Sequence, residues 1–105
     1  MSLSPDFWGP SAWRFIHSVS FSYPNNPTQE EKKRYVDFIL NLQHILPCYQ
    51  CRENLNKNLR TLNFNSNHMK NTQTFSKFVV DLHNLVNKEI GKPLKTYEEV
   101  KRTYV

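Results

Sequence analysis

An all-α bundle is the fold this sequence predicts, on three observations. Five stretches carry helical periodicity, none alternates apolar and polar residues as a half-buried strand would, and each is bounded by caps or breakers. The chain has 105 residues, enough for one domain over 1–105. Leu, Ile, Val and Phe supply 28 of them, about 27%, above the level at which disorder is the default. Ala appears once and Gly twice, while aromatics reach 13%, so the core has to be built from bulky side chains.

The first helix is expected over Asp6–Tyr23, stopped by Pro24-Asn25-Asn26-Pro27. The second opens at Thr28, which forms a capping box with Glu31, and runs to about Leu46. Its Tyr35, Phe38, Ile39, Leu42 and Leu46 keep one face. Pro47 breaks the chain before a third helix from about Cys48 to Arg60. The polar stretch Asn63–Thr74 is expected as the longest loop. A fourth helix follows over Phe75–Ile90, with Gly91 as its cap and Pro93 beyond. Thr96 and Glu99 form another capping box and open a short fifth helix toward Tyr104. These are expected to make a four-helix bundle plus one short helix.

Composition excludes several classes. No apolar run approaches the ~20 residues that span a bilayer. Met1 to Pro5 has neither the basic start nor the apolar stretch of a secretory signal. Two cysteines three apart are no secreted disulfide framework. A net charge of +5 is modest, and basic residues and aromatics share no dense stripe, so nucleic acid is not an expected partner. The expectation is a cytoplasmic domain that is not secreted and binds no membrane. Seven of its twelve asparagines fall between Asn54 and Asn71, a bias to which the sequence attaches no chemistry.

Three constellations carry chemistry. Cys48-Tyr49-Gln50-Cys51 sits at a helix start, where unpaired N–H groups favour a thiolate, with Arg52 adding charge. Cys48, Cys51, Leu55, Leu59 and Leu62 fall within about 80° at 100° per residue, so the pair continues an apolar seam. Such a pair can exchange disulfides, sit as reduced core thiols, or bind zinc with His44 and either His68 or His83. A thioredoxin fold would need strands that are missing.

The second constellation is Trp8 to His17. Trp8, Ala12, Phe15, Ile16 and Val19 form one stripe, and Trp13, His17 and Phe21 a second. The second stripe suits an aromatic core, or a flat ligand packed on Trp13 with His17 at its edge. The third is His83-Asn84-Leu85-Val86-Asn87, polar groups flanking the Phe78–Leu82–Val86 seam, followed by Lys88 and Lys92.

Together, W-G-x-x-x-W-x-x-x-H, C-x-x-C and H-N-x-V-N-x-x-[LI]-G-K-P resemble the Erv/ALR family of FAD-linked sulfhydryl oxidases, most of all the minimal versions of large DNA viruses. The resemblance implies a four-helix bundle with a short fifth helix and FAD at its mouth. It implies that Gly9, Trp13 and His17 line the flavin and that His83, Asn84 and Asn87 hold its isoalloxazine and adenosine parts. Lys88 and Lys92 then lie near the phosphates, and Tyr104 is a candidate adenine contact. Cys51 becomes the flavin-proximal sulfur and Cys48 the one exchanging with substrate. The implied activity oxidises a dithiol, on a protein or a thioredoxin-like relay. Its electrons pass through FAD to dioxygen, giving hydrogen peroxide, without a metal. A homodimer through the first two helices and a location in infected-cell cytoplasm or virion are implied as well. The runner-up is a non-enzymatic helical zinc-binding interaction module.

The chain departs from its relatives in one structural respect. The disulfide that many of them place between the fourth helix and the segment after Lys-Pro would fall at Val80 and about Tyr97, and neither is cysteine. No second cysteine pair serves as a shuttle.

Overall fold

The computed structural model describes residues 3–105; Met1 and Ser2, part of the stretch read for a secretory signal, lie outside the described residues. Helix α1 spans Pro5–Phe21, α2 Gln29–Ile45, α3 Tyr49–Thr61, α4 Thr72–Glu89 and α5 Tyr97–Tyr104, and no strand occurs among the described residues. Ser4 caps α1 and Pro5 opens it, where a missing N–H costs nothing. Pro10, two turns in, has no N–H for the Asp6 carbonyl, yet the helix continues to Phe21. The capping box of α2 is complete. Thr28 N–H donates to Glu31 Oε1 at 2.8 Å and Glu31 N–H to Thr28 Oγ1 at 3.1 Å. The box at Thr96 and Glu99 likewise opens α5.

The expected long loop at Asn63–Thr74 is shorter than its polarity suggests. A 3-10 turn fills Ser66–Met69, and α4 begins at Thr72 instead of Phe75. The asparagines are the reason. Asn65 caps the 3-10 turn, Asn71 caps α4, and Asn63 takes a positive φ of 50° that asparagine tolerates better than most residues. At the other end of α4, Gly91 turns the chain with φ 75°.

Helix α1 packs along α4, and α2 lies against α3, which also touches α4. The 3-10 turn packs on α4, and α5 crosses α1 and α4 at one end. The core gathers Ile16, Ile39, Leu55, Leu59, Phe75, Phe78, Val79 and Leu82. Tyr23, just past α1, is buried edge-on against Phe75 and Tyr35. Its hydroxyl donates to the Met69 carbonyl at 2.9 Å, fixing the α1–α2 corner to the 3-10 turn. That corner closes one end of the bundle. The other end stays open, and the functional residues collect there.

Candidate functional site

Pro47 ends the link from α2, and Cys48 follows as the N-cap of α3 in extended conformation. Its Sγ accepts the Cys51 backbone N–H at 3.2 Å. Cys48 therefore stands at the mouth of α3 instead of continuing the buried seam, which begins with Leu55 and Leu59. Both thiols are free. The side-chain hydrogen bond from Cys51 holds the Cys48 thiol below the ordinary value, helped by the N–H groups of the first turn and by Arg52. Burial pushes Cys51 up to about 12, with the same hydrogen bond adding to the effect. In the reduced pair the thiolate is therefore favoured at Cys48 and the proton at Cys51.

Beside the pair lies a cavity of about 840 Å³, near the upper end of ordinary ligand sites. The start of α1, the α2–α3 link, the last turns of α4 and the chain from Lys92 to Tyr104 form its walls. Of the residues singled out in the sequence, Gly9, Trp13, His17, Cys48, Cys51, His83, Asn87, Lys92 and Tyr104 all line it. A Cβ added at Gly9 would meet nothing within 4 Å, so bare backbone faces open space there.

Asn84 and Lys88 lie outside that wall. Asn84 has another occupation: its Nδ2 donates to the Lys95 carbonyl at 2.8 Å, and the Lys95 N–H donates to its Oδ1 at 3.0 Å. The side chain clamps the approach to α5 onto α4, which uses up its amide. Lys88 points from the exposed side of the last turn of α4. In its place, Arg14 and Lys95 join Lys92 on the cavity wall. Their signal in the sequence was faint: Arg14 merely follows Trp13, and Lys95 lies past the helix end.

His17 and His83 form a pair, Nε2 to Nδ1, at 2.9 Å. His83 also stacks on Trp13, with ring centres 4.1 Å apart and planes 9° from parallel. One face of Trp13 and one ring nitrogen of His17 are thus already engaged within the protein, where the sequence suggested a free plate and edge. Burial lowers both imidazoles to about 4, with Lys95 adding to the effect on His17 and His17 to that on His83. Both are neutral at pH 7. Phe21, the end of the second stripe, is covered by α5 through stacking on Tyr97 and Tyr104 at 6.0 and 5.5 Å.

The zinc alternative needs histidines beside the cysteines. Among the described residues no three His, Cys, Asp or Glu side chains gather as a metal site. His83 is paired with His17, and His68 Nδ1 accepts the Asn65 N–H at 3.1 Å.

The donor set fits FAD. Apolar and aromatic walls suit a flat ring system, three cationic side chains suit a diphosphate, and a redox-capable cysteine pair borders the same space. Comparison with known proteins agrees. The profile of the Erv1 / Alr family matches residues 10–105. The chain is 37% identical to a probable FAD-linked sulfhydryl oxidase of Acanthamoeba polyphaga mimivirus, over 92% of this chain and 68% of that protein. It is 34% identical to an FAD-linked sulfhydryl oxidase of African swine fever virus, over 92% of this chain and 79% of that one. The crystal structure of the yeast Erv1 core superposes with a TM-score of 0.87 at 28% identity, covering 96% of this chain and 83% of that chain. The FAD binding domain of Erv1 from Saccharomyces cerevisiae gives a TM-score of 0.82 at 29% identity, over 91% of this chain and 89% of that one. With its cysteine pair, its cavity and its helix order all in place, this chain belongs to the Erv1 / Alr family of FAD-linked sulfhydryl oxidases.

Proposed function

We propose that Cys48 exchanges disulfides with a protein dithiol and that Cys51 passes the electron pair into the adjoining cavity, the whole of residues 1–105 acting as one oxidase domain. The chain is an FAD-linked thiol oxidase. The observation that supports this division of labour is the asymmetry of the pair. Cys48 caps α3 with a thiol biased toward thiolate, while Cys51 is set deeper and keeps its proton. A thiolate at the helix mouth is the better partner for an incoming disulfide or thiol. Cys51 has to lose its proton before its electron pair can leave.

Gly9, Trp13, His17, His83, Asn87 and Tyr104 would hold the ring systems of FAD, and Lys92 with Arg14 and Lys95 its phosphates. Held there, FAD supplies a two-electron acceptor that dioxygen reoxidises with formation of hydrogen peroxide. The neutral His17–His83 pair fixes Trp13 and keeps added charge off that wall. Asn84 acts one step away, by setting where Lys95 lies.

The test is Cys51→Ser and Cys48→Ser, read by flavin absorbance and peroxide formation with a small dithiol. Both variants are expected to keep FAD and lose turnover. Undiminished turnover in either would refute the assigned role.

A homodimer through α1 and α2 belongs to the same proposal. Phe21 and Tyr23 are taken up internally, and the large apolar side chains that α1 leaves exposed are Phe7 and Phe15, 69% and 62% exposed, with Leu40 exposed on α2. Exposed aromatics of that size favour an interface, and twofold pairing is its commonest form. Sedimentation should give twice the chain mass, unchanged by reductant, and a monomer at micromolar concentration would exclude the dimer. No helix among the described residues is long and apolar enough to cross a membrane. The viral relatives support a site of action in infected-cell cytoplasm or virion, to be checked by fractionating infected cells.

A further inference from the structure

The turn that presents Cys48 is closed by a side chain from beyond the pair. The Leu46 carbonyl accepts the Cys48 N–H at 2.8 Å and also accepts Nη1 of Arg52. The Arg52 backbone N–H donates in turn to the Cys48 carbonyl at 3.1 Å. One residue thus grips the chain on both sides of the first cysteine. Its guanidinium lies 5.9 Å from the centre of the Tyr49 ring, within cation–π range. Among the described residues, no carboxylate pairs with it.

We propose that Arg52 is a positioning residue for disulfide exchange: it holds the Leu46–Cys48 turn and keeps an unneutralised positive charge in the first turn of the helix that Cys48 caps. This rests on the exchange role given to Cys48 above. In the first step a substrate thiolate bonds to the Cys48 sulfur and the Cys48–Cys51 bond breaks, its electron pair leaving on Cys51. In the second, the other substrate thiolate bonds to the first substrate sulfur and the mixed disulfide breaks, its pair leaving on Cys48. The substrate ends as a disulfide and the cysteine pair as a dithiol that has gained two electrons. Of the two substrate protons, one is held by Cys51 and the other is released. A leaving thiol of lower pKa departs faster, and the Arg52 charge favours the thiolate of both sulfurs, Cys51 in the first step and Cys48 in the second.

Arg52 itself is not part of the cavity wall, whose charged groups are Asp6 and Arg14 from α1, Glu89 from α4, and Lys92, Lys95 and Glu99 toward α5. Helix α2 adds only the uncharged Leu42, and the His17–His83 pair is neutral. Arg52 is the charged group whose field lowers Cys48. The fork that reaches Leu46 and the charge that reaches Cys48 are therefore two separable duties of one side chain.

The test follows alkylation of Cys48 by iodoacetamide against pH. The holoenzyme is reduced with a phosphine and dithionite, desalted under argon, and the modified sulfur located by fragmenting its peptide. Arg52→Gln should raise the midpoint by about 0.3 unit, since its charge is the smallest of the effects that lower Cys48, and at any pH below both midpoints this leaves roughly half the thiolate. Arg52→Lys should restore the midpoint, because the charge returns without the fork. A Gln variant with the wild-type midpoint overturns the proposal. Should that variant not fold, the wild type alone decides: raising salt from about 0.05 to about 0.5 M should screen the charge and lift the midpoint, and a midpoint indifferent to salt overturns the proposal. Failure of the exchange role itself would show elsewhere, as undiminished turnover in Cys48→Ser.

Discussion

Helices α4 and α5 both wall the cavity, yet they are held in opposite ways. Helix α4 buries Phe75, Phe78, Val79, Val80 and Leu82, so one side of it is core while the adjoining side carries His83 and Asn87. Helix α5 buries no residue. It is attached by the Asn84–Lys95 clamp, by a hydroxyl hydrogen bond of 2.8 Å between Ser76 and Tyr97, and by Tyr97 and Tyr104 stacked on Phe21. Val80, one of the two positions at which the family resemblance implies a disulfide, is simply core here. The cavity thus has one wall fixed by folding and one held by a few polar and aromatic contacts. Damage to the first should unfold the protein, and damage to the second should loosen the site alone.

The largest break is expected from Phe78→Ala. The ring is buried against Phe64 and the other core residues, and its loss should cost about 3–5 kcal/mol. Urea unfolding should show a much lower midpoint, with flavin lost in the same transition. A variant that released flavin well before unfolding would break the distinction between the walls.

His83 of the fixed wall and its partner His17 on α1 give the next effect, through pH. The unfolded chain takes up protons at each imidazole near the ordinary 6.5, whereas the folded protein resists until about 4. Stability is therefore present above pH 6.5 and is lost as pH falls toward 4. For the buried His17 alone the loss by pH 5 is on the order of 2 kcal/mol. Thermal melts of apoprotein at pH 7 and 5 should show the drop, and His17→Asn should show less of it. Equal losses in both would remove the buried pair as its cause.

Asn84→Ala should be the mildest, because it frees only the approach to α5. Two hydrogen bonds at a half-exposed position are worth about 1–3 kcal/mol, and most of that should appear as local opening. Hydrogen exchange should rise across residues 97–104 while α4 stays protected, and FAD should dissociate faster. Faster exchange in α4 to the same degree would mean that the two helices open as one.

Much of this was legible in the sequence because the signals were local. A threonine followed three residues on by a glutamate states a helix start, Pro24 to Pro27 a stop, and both hold wherever the segment packs. The asparagines were harder, since one residue type caps helices, fills loops and turns corners. Only the neighbours of Asn65 and Asn71 decide which, and that cost the α4 boundary three residues. Periodicity likewise placed Phe78 and Leu82 in the core, but it carried Cys48 along the apolar seam, where the structure makes it the extended cap of α3.

The sequence by itself determined the helices and their order, because caps, breakers and 3.6-residue periodicity act within a few residues. Tertiary structure alone decided which polar groups face the cavity and which face each other. Asn84 and Asn87 look alike along the chain, but one clamps Lys95 and the other lines the site. His17 and His83 likewise lie 66 residues apart, and they and Trp13 become partners only when α1 meets α4. Hydrogen bonds and ring stacking reach a few ångströms, and which groups come that close is set by how the helices pack.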